Sequence, residues 1–197
     1  MCAHKYQPDP SGVTLGGRPT QLYNPLRDTS IPEDERGTRF CHWISCYFTA
    51  IDDLEEVTES KLVAREALHE AKGSTQTHFN VKPSLDRMTD NEYKSVVDPT
   101  VFNRSYVSLR SLAQGDTYGE NLRKALFDTD GIWPDIDVLF LWCNMSVSDC
   151  IFGAKHVLDL SKKAEGNGHI ARPVKLVKIP NANHFVRLQF VHLCFLI

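Results

Sequence analysis

Apolar positions along this chain follow a helical spacing over its first two thirds and form unbroken runs near its end. Phe40, Trp43, Ile44, Tyr47, Phe48 and Ile51 recur at i, i+3, i+4 and i+7, which predicts an amphipathic helix over residues 32–51. Ser30-Ile31-Pro32-Glu33 ahead of it reads as a capping box with proline in the first turn. The stripe must bury against something, and two readings of it stand: a core face, or a pocket wall that greases an apolar substrate. Leu54 to Ala71 carries many Glu and Lys and few large apolar groups, so a solvated helix with a wet face is expected.

Gly73-Ser74-Thr75-Gln76-Thr77 breaks that helix, and Thr89-Asp90-Asn91-Glu92 is a second capping box. It opens a short helix that Asp98-Pro99 ends, because a residue before proline is driven out of the helical region. Further helices are expected around Val101–Leu112 and Glu120–Phe127. The pattern changes at Val138-Leu139-Phe140-Leu141-Trp142, a continuous apolar run that predicts a strand buried on both faces of a parallel sheet. A helix from about Asp149 to Lys163 follows, with Phe152, Val157 and Leu160 on one side and Gly166-Asn167-Gly168 closing it. Val174 to Ile179 then reads as a second strand, and Pro180-Asn181-Ala182-Asn183-His184-Phe185 as a loop. The fold class is therefore α/β, ending in a parallel strand-helix-strand unit whose ligand chemistry belongs beyond the carboxyl ends of the strands.

Composition narrows the function classes. With 197 residues, 42% hydrophobic and 24% charged, the chain is globular as a whole. A formal charge of -3 gives no basic face for nucleic acid and no attraction to an anionic membrane. Residues 1–28, rich in Gly, Pro, Asn and Asp, read as an irregular lead-in where no core is expected. Met1-Cys2-Ala3-His4-Lys5-Tyr6 lacks the apolar core of a signal peptide, so a cytoplasmic location is expected. The closing apolar run, Phe190 to Ile197, is about half the length a spanning helix needs, and reads either as an odd tail or as an interfacial anchor.

The six cysteines form no C-x-x-C, and the eight histidines make no ligand pair at helical spacing, so neither a metal nor another cofactor is expected. Buried thiols in a reducing compartment fit better.

Leu141-Trp142 with its polar loop and helix, then Pro173 to Val177 and the loop from Pro180 to Phe185, resembles the last two strands of α/β-hydrolase fold proteins. Tyr23-Asn24-Pro25-Leu26, the aromatic helix, Asp98-Pro99 and Trp142-Cys143-Asn144-Met145-Ser146 are similar to a fungal-type branch with a helical cap before the acid strand. The resemblance implies a cap over 29–132, the final strand-helix-strand of a partial hydrolase core over 133–186, and an atypical apolar tail over 187–197. It further implies a Ser-His-acid triad acting on ester or amide bonds of small apolar substrates, with His184 as general base. Asp149 is the nearest carboxylate to the expected acid position, which is held by Asn144, Met145 and Ser146; it reads equally as a first-turn helix acid. Trp43, Tyr47 and Trp142 are the candidate substrate-binding residues.

The nucleophile elbow is missing, for no G-x-S-x-G occurs anywhere. The chain therefore reads as a truncated, catalytically incomplete member with an exposed sheet edge open to self-association. Two alternatives remain at this level: a non-catalytic module that binds a partner or apolar ligand through the aromatic helix face, and an intact enzyme that uses Cys143 or Ser146 with His184.

Overall fold

The computed structural model describes residues 9–71, 82–98, 115–127, 136–166 and 171–185. These residues form a mixed α/β structure: α1 (Glu33–Ser45), α2 (Glu59–Ala71), α3 (Asp90–Val96), α4 (Gly115–Leu126), β1 (Val138–Cys143), α5 (Ser148–Gly166) and β2 (Val174–Ile179). β1 and β2 pair in parallel with Val138 opposite Val174 and Cys143 opposite Ile179, and α5 crosses between them. Single 3-10 turns at Val13–Leu15, Pro25–Arg27 and Leu85–Arg87 lie in the connecting chain. Among the described residues no helix is long and apolar enough to cross a membrane.

The strand-helix-strand and the Thr89 helix form where the sequence places them. Thr89 accepts from the Glu92 amide while the Glu92 carboxylate accepts from the Thr89 amide, completing the capping box, and the helix stops before Asp98. α4 begins before the predicted Glu120, at Gly115. The expected helix over Val101–Leu112, the break at Gly73–Thr77 and the tail from 187 lie outside the described residues.

α1 departs from its prediction at both ends. Ser30 does not cap it, because its amide and hydroxyl are both bonded to Asp28 Oδ1, at 2.9 and 2.6 Å. Pro32 stands at the cap position with no side-chain bond to offer, and Glu33, Asp34 and Glu35 complement the positive helix end instead. The helix stops at Ser45, so Tyr47, Phe48 and Ile51 are not on it. Beyond Cys46 the chain runs beside the loop that follows β1, with the Phe48 amide donating to Met145 O and the Ile51 amide to Asn144 O. Tertiary hydrogen bonds to the β1 loop take the place of helical ones here.

β1 is buried on both faces only at its carboxyl end, where Trp142 and Cys143 are covered; Val138 to Leu141 are half-buried. Among the described residues the sheet has two strands, and these cover its faces less completely than the wide parallel sheet that an unbroken apolar run suggests.

Residues that the sequence divides among lead-in, cap and core share one interior. Leu22, Leu54, Val57, Leu62, Trp142, Ile151 and Ala154 form its main cluster. The lead-in is irregular, as predicted, yet it is not outside the core: Leu22, Pro25 and Leu26 are buried, and Asp9 and Gly12 bond to the backbone of β1 and α5. Contact with α5 depends on the lack of a side chain at Gly153, where a Cβ would come within 3.0 Å of Pro10 O and of the Gly12 amide nitrogen. At Gly16 the left-handed φ of 79° turns the chain against Gly119 of α4.

α2 has the expected solvated face, with Ser60, Lys61, Ala64, Ala67 and Leu68 exposed, but two of its charges are not on it. Leu62 is fully buried, and Arg65 and Glu66 are only 4% and 5% exposed, because that side of α2 packs along α5.

Docking of the lead-in has a measurable consequence. Leu22→Ala is expected to lower unfolding free energy by about 2–5 kcal/mol, as a core leucine does. Leu68→Ala, at 57% exposed, should change it by less than about 0.5 kcal/mol. Denaturant melts in which both variants behave alike would show that the lead-in is not part of the core.

Candidate functional site

Two loops leave the carboxyl ends of the strands and are stitched together. The Met145 amide donates to Ala182 O at 3.0 Å, and Asn144 Oδ1 accepts from the Asn181 amide at 2.8 Å. Asn144, which stands where the resemblance wants a carboxylate, thus holds the histidine loop in place instead of touching the imidazole. Asn181 adopts a left-handed φ of 57°, tolerable for asparagine, and lets the loop turn sharply after β2. Asn183 is fully buried and its amide nitrogen donates to Ser45 O and to Ser84 Oγ, tying the loop to the end of α1 and to the chain near Leu85.

His184 follows directly, with a side chain that is 30% exposed. Its Nδ1 lies 3.2 Å from Asp9 Oδ2 and 3.6 Å from Cys150 Sγ. Among the described residues Nε2 takes no hydrogen-bond partner. Asp9 is fully buried and comes from the lead-in, where its φ of 61° is one of two positive values at non-glycine residues among the described residues. That backbone is pinned, since the Asp9 amide donates to Leu141 O at 3.1 Å. The Cys143 amide donates to Asp9 Oδ1, so one carboxylate oxygen is held by the strand end and the other faces the ring.

Asp149 is buried in the first turn of α5 and makes no hydrogen bond to His184. Burial pushes its carboxyl up, while the nearby Arg27 charge, the Ser11 hydroxyl and His184 pull it back. Its Oδ1 has no partner among the described residues. Asp9 takes the position beside the imidazole for which the hydrolase resemblance offers Asp149. No local signal announces Asp9, which is separated from His184 by almost the whole chain; only the docked lead-in brings the two together.

The cysteine and serine candidates for nucleophile do not assemble with the ring. Cys143 and Ser146 are buried and neither bonds to His184; the Ser146 hydroxyl is without a partner among the described residues. Burial and the Asp9 charge push the Cys143 thiol far above its ordinary range. Cys150, the thiol that does meet the ring, is also pushed well up, first by burial and then by Asp9 and Asp149. A thiol held protonated is a poor nucleophile.

The candidate substrate-binding aromatics are core residues. Trp43 is 9% exposed and packs with Tyr23, Phe40 and Phe48, the last two rings at 5.7 and 6.5 Å. Tyr47 is covered by Arg87, which stacks on its ring and donates to its hydroxyl at 2.9 Å. Trp142 lies in the main cluster with Leu22 and Ile151.

No family model, no curated protein and no solved structure matches the chain. The chemistry must therefore be read from the arrangement itself.

Beneath the loops lies an ionic layer. Arg65 sends Nε to Thr49 O at 2.6 Å, Nη2 to Ser146 O at 2.7 Å and Nη1 to Ser148 Oγ at 3.2 Å, with its guanidinium over the Phe48 ring. Burial lowers it to about 9, and the charges of Glu66 and Asp9 pull upward, so it remains a cation at neutral pH. Glu66 accepts from the Tyr23 amide at 3.1 Å, and burial pushes its carboxyl up to about 7.

Arg65→Ala is expected to cost at least about 3 kcal/mol, because it strands buried carbonyls and uncovers Glu66. Glu66 sets a pH dependence. Its folded carboxyl titrates at about 7 against 4.5 ordinarily, so the native state keeps a proton that the unfolded chain has lost between those values. Stability therefore falls as pH rises from 4.5 through about 7, by about 3 kcal/mol in all. Glu66→Gln should flatten that part of the profile and raise stability above neutral pH; equal slopes in the two proteins would refute the assignment.

Proposed function

We propose that the chain is an α/β-hydrolase-like polypeptide carrying the acid-and-histidine end of a Ser-His-acid apparatus, with a helical region in place of a cap. Its complete relatives would cleave ester or amide bonds in small apolar substrates. The observation that carries this reading is the Asp9–His184 pair, set beyond the carboxyl ends of two parallel strands. A carboxylate only accepts, so a hydrogen bond at this site requires Nδ1 to donate, leaving the Nε2 lone pair as the base. Asp9 would then perform the acid's part: it selects the tautomer and stabilises the imidazolium formed during proton transfer.

The sequence has no G-x-S-x-G elbow, and the Ser146 hydroxyl in the β1–α5 turn does not bond to His184, so the chain reads as catalytically incomplete. The free, buried Cys41, Cys46, Cys143 and Cys150 support a reducing, cytoplasmic setting. The outer edge of β2, where Lys175 and Lys178 are exposed, is where a further strand or a second copy would add. A binding module built on the aromatic stripe has less support, since Trp43, Tyr47 and Phe48 are covered from within.

Nitrogen NMR of the His184 ring in metal-free protein is expected to show the Nδ1–H tautomer, weakened in Asp9→Asn; an Nε2–H tautomer in the wild type would sink the proposed pair. The purified chain should hydrolyse an activated ester no faster than His184→Ala. Ester turnover that disappears in that variant would overturn the incompleteness.

A further inference from the structure

The Nδ1 atom of His184 faces two heteroatoms at once, Asp9 Oδ2 at 3.2 Å and Cys150 Sγ at 3.6 Å, and the three ligand atoms lie within 4.8 Å of one another. A single ring hydrogen can serve both only in a three-centre bond, weaker to each than a linear one. If Nδ1 donates to the carboxylate, the thiol hydrogen has no lone pair to meet on that nitrogen. If the thiol donates, a carboxylate oxygen is left facing a nitrogen lone pair. A cation placed among the three removes the conflict, because each atom then offers a lone pair to the same centre.

Two of the three separations have the dimensions of such a centre. Tetrahedral zinc, with bonds near 2.0–2.1 Å to nitrogen and oxygen and 2.3 Å to sulfur, has edges of about 3.3 Å between nitrogen and oxygen and about 3.6 Å between nitrogen and sulfur. Asp9 is held as a ligand needs to be, by its left-handed backbone, its amide bond to Leu141 O and the Cys143 amide on the far carboxylate oxygen. Charge also balances, since a carboxylate and a thiolate neutralise a divalent ion in a site where Asp9 and Cys150 are buried.

We propose that Asp9, Cys150 and His184 form a binding site for one borderline transition-metal dication of the zinc type, with three protein ligands and a fourth position for water or another small ligand. Binding moves the imidazole proton from Nδ1 to Nε2 and releases the thiol proton to solvent. The inference rests on the same histidine as the hydrolase reading and adds a control to it. Metal on Nδ1 puts a proton on Nε2, so the loaded form has no base, and the ion and the proton-transfer pair exclude one another.

Cobalt chloride alone, titrated into the reduced, full chain, is the test. One equivalent should produce a thiolate-to-cobalt charge-transfer band and the intense visible bands of four-coordinate cobalt, both removed by added zinc. Cys150→Ala should abolish the charge-transfer band, and His184→Ala should weaken binding by more than about 100-fold, beyond what loss of a supporting residue alone causes. Cys41→Ser, at a buried thiol elsewhere, should leave the spectrum unchanged. A charge-transfer band that survives Cys150→Ala, or no uptake at one equivalent, overturns the site. Should Cys150→Ala fail to fold by circular dichroism, His184→Ala decides alone, and unchanged affinity there overturns the site. The ring tautomer of the metal-free protein is read independently, so loss of the metal site leaves the hydrolase reading standing, and loss of that reading leaves the metal site.

Discussion

The guanidinium of Arg65 ties together three segments that also meet through backbone hydrogen bonds and a shared apolar core. Carried by α2, it holds the chain after α1 through Thr49 O and the loop after β1 through Ser146 O and Ser148 Oγ, with Phe48 against its face. A buried cation is expensive to desolvate, and these three acceptors offset the cost only if all are in place together. The arrangement is accordingly cooperative: α2, the segment at Thr49 and the β1–α5 loop are positioned as a unit. The loop in turn carries Cys150 at its end and is stitched to the loop that presents His184.

Around that layer the site is assembled from three distant pieces of sequence. Asp9 arrives with the lead-in, Cys150 with the first turn of α5, and His184 with the loop after β2. Each is fixed by backbone hydrogen bonds of its own segment rather than by contact with the others. Their convergence is thus a property of the packed chain, and it permits either proton transfer through the ring or capture of a cation by the same atoms. Both uses depend on the close approach of the lead-in to α5 at Gly153.

The parts legible in the sequence are those governed by neighbours in the chain. The unbroken apolar run at Val138, the capping box at Thr89 and the two strands about α5 form as their local patterns predict, because each pattern has a single way to satisfy its backbone. α1 shows where such reasoning stops. Phe48 and Ile51 keep a helical spacing, yet their amides find carbonyls on the β1 loop and the helix ends at Ser45. α2 shows the converse: Arg65 and Glu66 look like surface charges, since the acceptors that make their burial tolerable lie far away in the sequence.

The sequence by itself determined an α/β chain whose terminal strand-helix-strand carries a loop histidine, because period, cap and turn residues act over a few positions. It also showed that no nucleophile elbow is encoded, a matter of local motif alone. Tertiary structure decided which carboxylate meets that histidine. Asp149 is near in the expected order but makes no hydrogen bond to the ring, while Asp9, in a segment with no periodicity to reveal its place, is docked against β1 and α5 and bonded to Nδ1. Position beside a ring is set by packing between segments, and packing leaves no mark in the spacing of residues along one of them.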